Sequence, residues 1–294
     1  MDVGGTHVTS AVIDVNEMKV LNYSMHKETF DSNLPVNQVM DYWEKSILSS
    51  MKNSEVEKIN GIFICMPGPF DYEKGISMIK NQGKYENFYG LNISDLIKER
   101  LNLPGDFNVF FENDAVCFGK GEVYKDKVNL SKKVMAVTLG TGLGSCFIDN
   151  GVSISSGIEV PTDGEIWNLP FKTGIAEDYV SLRGLLAKYF VLSGIKLESG
   201  LELYNKAIKG DKNAIEVFEE MGVHLAEIVI PWLKKFSVEH FIIGGKIANA
   251  SALFLPIFNK KIKEEDCEIS VQVSQDNEDA ALLGATSRIY VLEY

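Results

Sequence analysis

The stretch VMAVTLGTGLGSCFID, residues 134–149, is the most informative part of the sequence for predicting the fold. It has the composition of a strand, a glycine-rich turn and a second strand that ends in Ile-Asp. The same order of parts occurs near the N-terminus, where Asp2-Val3 precedes Gly4-Gly5-Thr6 and Thr9–Asp14 follows. We interpret the two stretches as an internal duplication of a sheet hairpin. Coincidence is the alternative, because glycine-rich hairpins are common.

Strands and helices alternate around the first of these hairpins. Val8–Ile13 and Lys19–Tyr23 are typical of two strands that pair with each other. Apolar residues at helical spacing predict a helix over Val36–Met51. The stretch Ile59–Met66 is typical of a buried strand, and Pro67-Gly68-Pro69 ends it. This alternation predicts an α/β fold.

The second half of the chain is mostly helical. Before it, Val109–Phe111 is a short predicted strand that leads into a helix from Asp114 to about Tyr124. A further strand is predicted over Phe241–Ile243, and a last helix from Asp279 to about Tyr290. The longest predicted helix has its apolar residues on one face, which are Ala214, Val217, Phe218, Met221, Leu225, Ile228, Val229 and Trp232.

Length and charge limit the class of protein. The chain has 294 residues, of which 45% are hydrophobic, which is enough for two lobes with separate cores. Its formal net charge is -12. Nucleic acids and membrane surfaces are polyanionic, so this charge argues against both as partners. No stretch approaches the roughly 18 consecutive apolar residues of a membrane span.

The four cysteines and the N-terminus indicate a cytoplasmic protein. No cysteine belongs to a CxxC pair, and Cys65 and Cys146 lie in apolar, strand-like runs. Buried free thiols are therefore favoured over disulfides or metal ligands. No signal peptide is recognisable. Met1-Asp2-Val3 has the pattern of the end of a strand, which is either short or lacks its first residues in this sequence.

The first glycine turn has the chemistry of a phosphate site. Gly4 and Gly5 allow the backbone to approach a ligand without a Cβ in the way, and their N–H groups can point at phosphate oxygens. The hydroxyl of Thr6 is an additional donor. Asp2, at the end of the strand, could hold Mg2+ through water. Alone, the motif is also compatible with an ordinary hairpin turn.

The second glycine turn offers the same donors. Gly140, Thr141 and Gly142 stand at the equivalent point of the repeat, so two such loops could bind a polyphosphate from both sides. They do not form a P-loop, because no Gly-Lys-Ser/Thr follows. The pair Gly244-Gly245 follows a predicted strand and permits close approach of a flat adenosine group. An ordinary strand-to-helix turn is the alternative for that pair.

Carboxylates at predicted strand and loop ends are candidate substrate ligands. Asn113 and Asp114 follow a short strand and begin a helix, and ligands of open α/β sheets bind at the carboxyl ends of strands. The alternative is helix capping, which favours Asn and Asp. Glu165 and Glu177 lie in a segment rich in turn residues, where paired acids suit hydrogen bonds to sugar hydroxyls. Solvated loop acids are the alternative.

In this order, the motifs resemble those of the ROK family (repressors, uncharacterised frames and sugar kinases) of the actin/hexokinase superfamily. The resemblance covers essentially the whole chain. The sequence around Asp114 carries it best, since Glu112-Asn113-Asp114-Ala115 is similar to the family's catalytic signature. The other matching motifs are Asp2–Thr6 and Leu139–Gly144 for phosphate, Pro67-Gly68-Pro69 with Gly75 and Glu177–Ser181 near the sugar, and Ile243-Gly244-Gly245 for adenosine.

The resemblance implies an ATP-dependent sugar kinase. Asp114 would take the proton from the attacking hydroxyl, usually the 6-hydroxyl, and ATP with Mg2+ would supply the phosphoryl group. The residues that would hold the sugar are Gly68, Asn113, Asp114, Glu165, Asn168 and Glu177. Glucose is the favoured sugar, because this set recognises hydroxyl groups without an evident specialised pocket. N-acetylated hexosamines, mannose, fructose and allose are alternatives.

The sequence departs from the family pattern next to Glu165. The family usually has Gly-Glu-x-Gly-His, whereas this chain has Trp167 and Asn168 in place of the glycine and the histidine. The cysteine-rich zinc motif is also absent, so we expect no zinc. Asn168 can still donate to and accept from a sugar hydroxyl. Trp167 either contacts the sugar or is a core residue, and the core interpretation is slightly favoured. Lys246 stands where a third glycine is common.

The resemblance implies two ribonuclease H-like lobes of the actin/hexokinase type, with ATP and sugar in a cleft between them. We predict a small lobe of residues 1–118 plus a returning helix over 278–294, and a large lobe of residues 119–277. A homodimer fits the family, although one sequence shows no interface. The alternative function is a sugar sensor or pseudo-kinase of the same fold. The intact Asp114 and both glycine turns argue against it, whereas Trp167 and Asn168 favour it.

Overall fold

The first glycine turn joins two antiparallel strands at the centre of a mixed sheet. The computed structural model of the protein describes residues 1–275 and 277–287. The chain divides into two units, Met1–Tyr124 together with the described residues from Glu278 onward, and Lys125–Asn277. The lobe limits predicted from the sequence stay a prediction, and residues 288–294 of it lie outside the described part.

The sheet of the first unit has the strand order β5-β2-β1-β6-β9. The β1–β2 and β2–β5 pairs are antiparallel, whereas β1–β6 and β6–β9 are parallel. The elements up to the end of this unit are β1 (Asp2–Val3), β2 (His7–Ser10), β3 (Ile13–Asp14), β4 (Lys19–Val20), β5 (His26–Thr29), α1 (Val36–Asn53), β6 (Ile62–Met66), β7 (Phe70–Asp71), β8 (Ile76–Ser77), α2 (Ile93–Arg100), β9 (Val109–Asn113) and α3 (Asp114–Lys125).

The sheet of the second unit repeats this arrangement. Its strand order is β12-β11-β10-β15-β16, with two antiparallel pairs followed by two parallel pairs. The elements are β10 (Lys133–Leu139), β11 (Leu143–Asp149), β12 (Val152–Ser153), β13 (Pro170–Phe171), β14 (Gly174–Ile175), α4 (Glu177–Val180), α5 (Leu182–Ser193), α6 (Gly200–Ile208), α7 (Lys212–Phe236), β15 (His240–Gly244), α8 (Ser251–Glu264) and β16 (Ser270–Val273), followed by α9 (Asn277–Ala285). The common order agrees with the predicted duplication and confirms the α/β fold class.

The pairing of β2 differs from the sequence prediction. β2 ends at Ser10 and pairs with β5, while β3 and β4 form a separate short hairpin. The hydroxyl of Ser24 accepts the backbone N–H of Val12 at 3.1 Å, so the chain leaves the sheet there instead of continuing the strand. In the second unit β11 begins at Leu143, and Gly144 therefore lies inside the strand instead of the turn.

Each unit has its own hydrophobic core. Trp43 of α1 is fully buried in the first, where it stacks on Phe88 with ring centroids 5.8 Å apart. In the second unit α7 buries the apolar face predicted from its spacing, which comprises Ala214, Val217, Phe218, Met221, Leu225, Ile228 and Val229. Trp232 is only partly buried against that core. Burial of these faces fixes the helices on the sheets.

Helices α3 and α9 pack with their backbones in close approach. A Cβ at Gly284 would lie 1.7 Å from the carbonyl oxygen of Cys117, and a Cβ at Gly121 would lie 1.8 Å from that of Ala280. Only glycine fits at either position. The contact fixes α3, whose first residue is Asp114, against the end of the described chain.

The cysteines are free thiols. Cys65, Cys117 and Cys146 are buried, as predicted, whereas Cys267 is half-buried. None of the helices in residues 1–275 and 277–287 combines the length and the apolar character that a membrane crossing requires.

Candidate active site

Asp114 stands where β9 ends and α3 begins. The side-chain oxygen of Asn113 accepts the backbone N–H groups of Ala115 (2.9 Å) and Val116 (3.3 Å), so Asn113 caps the helix. Oδ1 of Asp114 accepts the N–H of Ala115 at 2.9 Å, and the residue is exposed. The capping role that the sequence left open for both residues is therefore mainly that of Asn113. The carboxylate of Asp114 stays accessible to a ligand.

The protein raises the pKa of Asp114. Crowding of the carboxylate by protein is the main cause, although the residue keeps a face in contact with water. The positive charge of Lys84 and the N–H of Ala115 act in the opposite direction. A carboxylate with a raised pKa is a stronger base than an ordinary aspartate.

Gly68 and Asn113 are brought together by Tyr72. The side-chain amide of Asn113 donates to the Tyr72 hydroxyl at 3.2 Å, and this hydroxyl donates to the carbonyl oxygen of Met66 at 3.0 Å. A Cβ at Gly68 would lie 3.3 Å from the same hydroxyl. The amide of Asn113 has two hydrogens, and the hydrogen bond to Tyr72 uses one of them. The second is available to a ligand as far as the described residues are concerned. The Pro-Gly loop and the catalytic signature lie side by side in the first unit.

Asp2 lies in a cluster that could hold a cation. One carboxylate oxygen of Asp2, one ring nitrogen of His7 and one carboxylate oxygen of Glu278 lie within 4.8 Å of one another. Burial raises the pKa of Asp2 to about 6, and the negative charge of Asp114 contributes to the rise. Mg2+ prefers such oxygen ligands. The donors near Asp2 therefore fit the metal predicted at this position.

Glu278 is a site residue that sequence reasoning missed. Its Oε1 accepts the hydroxyl of Thr9 at 2.6 Å and the ammonium of Lys27 at 2.7 Å. These partners precede it by 269 and 251 residues. No local spacing in the sequence indicates the contact. It depends on α9 packing against the first unit.

The backbone of the first glycine turn is held from two sides. The N–H of Gly4 donates to the carbonyl oxygen of His7 at 2.9 Å, and the hydroxyl of Tyr85 donates to the carbonyl oxygen of Gly4 at 2.7 Å. Thr6 is exposed. A Cβ at Gly5 would meet only Cδ of Lys84, at 3.7 Å. Gly5 and Thr6 thus leave room for a ligand at the turn.

The second glycine turn is joined to Glu177. The N–H of Leu143 donates to Oε2 of Glu177 at 3.0 Å, and a Cβ at Gly142 would lie 2.6 Å from the same oxygen. The carbonyl oxygen of Gly140 accepts the N–H of Leu182 at 2.8 Å. Thr141 is exposed. The structure therefore brings the predicted phosphate residues of this unit next to one predicted sugar ligand, without a side chain between them.

Glu165 is held by its neighbours. The hydroxyl of Ser145 donates to the carbonyl oxygen of Gly164 at 2.7 Å and accepts the N–H of Ile166 at 3.1 Å. The indole N–H of Trp167 donates to Oε2 of Glu165 at 2.6 Å. Trp167 is 36% exposed, so the interpretation of Trp167 as a core residue is wrong.

Two further backbone contacts place the remaining predicted residues of this unit. The N–H of Glu177 donates to the carbonyl oxygen of Trp167 at 3.0 Å, which connects the two predicted sugar ligands Glu165 and Glu177 through one short segment. Asn168 follows in the same turn and is exposed. These residues form one group in the second unit, together with the glycine turn that Glu177 contacts.

The glycine pair after β15 lies at the base of the second turn. Gly245 has a φ of +87°, and a Cβ there would lie 2.3 Å from the carbonyl oxygen of Leu139. Leu139 immediately precedes the Gly140 turn, and β10 and β15 are parallel neighbours. Gly245 is therefore required for packing, whether or not Gly244-Gly245 also contacts a nucleotide. Lys246 begins a short 3-10 helix directly after the pair.

Comparisons with known proteins identify the family of the chain. The family model described as "ROK family" matches residues 1–289, and the chain belongs to this family. A glucokinase of Thermotoga maritima is 26% identical, and the match covers 98% of this chain and 96% of that protein. An N-acetyl-D-glucosamine kinase of Haemophilus influenzae is 24% identical, over 86% of this chain and 85% of that protein.

Solved structures confirm the actin/hexokinase-type fold that the motifs predicted. A ROK hexokinase from Thermus thermophilus superposes with a TM-score of 0.79 at 18% identity, covering 100% of this chain and 98% of that chain. A ROK family glucokinase from Streptomyces griseus, solved with glucose and AMPPNP, superposes with a TM-score of 0.71 at 21% identity, covering 98% and 97%. At such low identity these likenesses establish the fold alone.

Proposed function

We propose that the protein is an ATP-dependent hexose kinase, with glucose as the favoured sugar and the 6-hydroxyl as the acceptor. The observation that carries the proposal is the exposure of the Asp114 carboxylate at the start of α3. Its neighbour Asn113 caps the helix, so the carboxylate of Asp114 stays exposed for a ligand. Membership of a family that contains named sugar kinases supports the same reaction.

Asp114 acts as the general base. Its carboxylate accepts a hydrogen bond from the sugar hydroxyl, orients the oxygen, and takes the proton late, because the transition state of phosphoryl transfer is loose. The bond between the terminal phosphorus and the ADP oxygen breaks, and a bond to the sugar oxygen forms. The raised pKa of Asp114 suits this role, since it brings the base closer to a neutral working pH.

The two glycine turns bind the nucleotide. In the first unit the backbone N–H groups of Gly5 and Thr6 donate to phosphate oxygens, and in the second unit those of Thr141 and Gly142 do so. Gly4 and Gly140 allow the close approach of the backbone, since their own N–H groups donate to the carbonyl oxygens of His7 and Gly142. Gly244-Gly245 contacts the adenosine. Open space at Gly140 supports this assignment, because nothing described lies within 4 Å of a Cβ built there. Asp2 would hold Mg2+ through water, and the ion would supply positive charge to the phosphate oxygens.

Each unit supplies polar side chains as proposed sugar ligands. In the first unit, Asn113 keeps one amide N–H for a hydroxyl and Gly68 lies beside it. In the second unit, Glu165 is oriented by Trp167, and Glu177 is oriented by Leu143. Asn168 adds an exposed amide. This set recognises hydroxyl groups, which favours glucose. N-acetylglucosamine is the leading competitor, because three relatives are named N-acetyl-D-glucosamine kinase.

The test is ADP release with Mg-ATP across a panel of hexoses and amino sugars, with Asp114→Ala beside the native protein. We expect one sugar to give robust turnover, which Asp114→Ala lowers by about 100-fold to 10,000-fold. Binding of a sugar or ATP without any turnover would overturn the kinase proposal and favour a sugar sensor or pseudo-kinase. Turnover that survives in Asp114→Ala would overturn the assignment of the base.

A further inference from the structure

Lys84 lies on the loop between β8 and α2, next to the first glycine turn. Its Cδ is the only neighbour that a Cβ at Gly5 would meet in the described structure, at 3.7 Å. Its charge acts on the carboxylate of Asp114. Lys84 therefore has a predicted phosphate turn on one side and the proposed base within electrostatic reach. Its sequence gave no indication of this, because the loop carries no recognised motif.

The loop that carries Lys84 is held firmly. The carboxylate of Glu86 accepts three successive backbone N–H groups, from Asn81 (2.9 Å), Gln82 (2.7 Å) and Gly83 (3.0 Å). The side-chain amide of Asn33 donates to the carbonyl oxygen of Gly83 at 3.1 Å. These bonds fix the backbone immediately before Lys84, so the position of its Cα does not depend on the lysine side chain itself.

The residue after Lys84 anchors the loop to the glycine turn. Tyr85 has a φ of +53°, is fully buried, and donates its hydroxyl to the carbonyl oxygen of Gly4 at 2.7 Å. Its ring packs edge-on against Phe88 and Trp43, with centroids 5.6 Å and 6.1 Å away. A left-handed tyrosine is uncommon and needs such support. This anchor fixes the position of Lys84 relative to the first glycine turn.

The charges around the turn require a cation that is available to a ligand. Asp2, Asp114 and Glu278 place negative charge there, and a phosphate approaching them is repelled. Lys27 is already bonded to Glu278. Lys84 is half-buried and forms no ion pair or side-chain hydrogen bond with the residues that the structure describes. A cation without a protein partner beside a phosphate turn is suited to a phosphate oxygen.

We propose that Lys84 is a catalytic residue that binds the phosphoryl group during its transfer. Its ammonium donates to a non-bridging oxygen of the terminal phosphate and offsets the charge that Asp114 places near it. Lys84 keeps its proton throughout, and the proton of the sugar hydroxyl goes to Asp114. The proposal rests on the proposed kinase function, but the affinity for a bare polyphosphate tests it separately.

The experiment compares Lys84→Met and Lys84→Arg with Lys80→Met. Lys80 is the matched control, since it lies in the same loop and its removal changes the charge equally, but it is exposed and its ammonium lies over the ring of Tyr89, 5.1 Å from the centroid. Two quantities are measured for each variant: kcat and KM with the sugar that the native protein phosphorylates, and the affinity for inorganic tripolyphosphate by calorimetry.

Lys84→Met should lower kcat by about 100-fold, with the KM of the sugar nearly unchanged. It should weaken tripolyphosphate binding by about tenfold. Lys84→Arg should recover part of both, and Lys80→Met should retain native values. Equal losses in Lys84→Met and Lys80→Met, or native values in Lys84→Met, would overturn the proposal. The loss in kcat should also persist at high pH. Full recovery there would contradict contact with the phosphoryl group, because it would mean that Lys84 only lowers the pKa of Asp114.

The two proposals fail in different ways. If no sugar is turned over by the native protein, but Lys84→Met still weakens tripolyphosphate binding, the kinase proposal fails and Lys84 remains a phosphate ligand. If the native protein is a kinase and Lys84→Met behaves like it, the role of Lys84 is wrong and the kinase proposal stands.

Discussion

The two glycine turns occupy the same place in two sheets of the same strand order, but their surroundings differ. Beside the first turn lie the carboxylates of Asp2 and Glu278, and Lys84 covers Gly5. At the second turn, Glu177 accepts the backbone N–H of Leu143, directly after the turn, and fills the space where a Cβ at Gly142 would be. The two sheets repeat one arrangement of strands, and Glu278, Lys84 and Glu177, which lie outside the repeated hairpins, give the two turns different surroundings.

The helices that follow strands β9 and β16 also share a sequence pattern. Asp114-Ala115 is followed by a glycine at position 119, and Asp279-Ala280 by Gly284 at the same spacing. Both helices, α3 and α9, belong to the first unit, where they pack through glycines. At the start of α3 the charge of Lys84 acts on the carboxylate of Asp114. One copy of the motif therefore carries the proposed base, while the other supports it.

The largest effect on folding is expected from Gly284→Ala, which breaks the packing of the two related helices. A Cβ there would lie 1.7 Å from a backbone oxygen, which cannot rotate away. We expect a loss of about 3 kcal/mol in the free energy of unfolding, measured by urea denaturation. Gly105→Ala is the control, because nothing described lies within 4 Å of its Cβ. Equal stability of the two variants would contradict the close packing.

Alanine substitutions at Gly142 and at Gly5 should have different effects on the KM values of sugar and ATP. At Gly142 the new Cβ displaces the carboxylate of Glu177, since only 2.6 Å is available, whereas at Gly5 the contact with Lys84 is an ordinary 3.7 Å. Gly142→Ala should raise the KM of both sugar and ATP by about tenfold, and Gly5→Ala that of ATP alone. Steady-state kinetics with each substrate varied checks this. A sugar KM that stays native in Gly142→Ala would remove Glu177 from the sugar site.

A smaller effect is expected from Trp167→Phe in the second unit. The change removes the indole N–H that donates to Glu165 at 2.6 Å but keeps an aromatic ring. We expect the KM of the sugar to rise by about fivefold, since one hydrogen bond to a charged group is lost. Trp232→Phe is the matched control, because its ring packs against the core of the same unit. Equal KM values in the two variants would deny Trp167 a role in orienting Glu165.

The pH dependence of kcat/KM should report the pKa of Asp114 and the effect of the nearby charge of Lys84 on it. The base works as a carboxylate, so activity is present above the pKa of Asp114 and is lost as the pH falls through it. Because that pKa is raised, the acidic limb of kcat/KM should lie above the about 3.9 of an ordinary aspartate. Lys84→Met should move the limb to still higher pH, since its charge lowers the pKa. A limb that moves to lower pH would contradict the assignment.

The sequence predicted those parts of the site whose residues lie in one continuous stretch of the chain. The glycine turns, the strand before Asp114 and the apolar face of α7 have local patterns of spacing and composition, and each forms as expected. The α/β fold class followed from the alternation of predicted strands and helices along the chain.

Contacts between distant stretches could not be predicted in this way. Glu278 reaches Thr9 across 269 residues, and Lys84 reaches Gly5 because Tyr85 and Glu86 fix a loop without a motif. Trp167 shows a second limit, since a large apolar side chain favours a core interpretation unless its partner is known. Here the partner is the carboxylate of Glu165.

The most direct test of the account is a single variant, Asp114→Asn, in which sugar binding and phosphoryl transfer are measured on the same sample. Asparagine preserves the size of the side chain but cannot accept the proton. We predict a sugar Kd within about threefold of the native value and a loss of transfer of about 1,000-fold. Transfer at a native rate in this variant would contradict the central claim that Asp114 is the catalytic base.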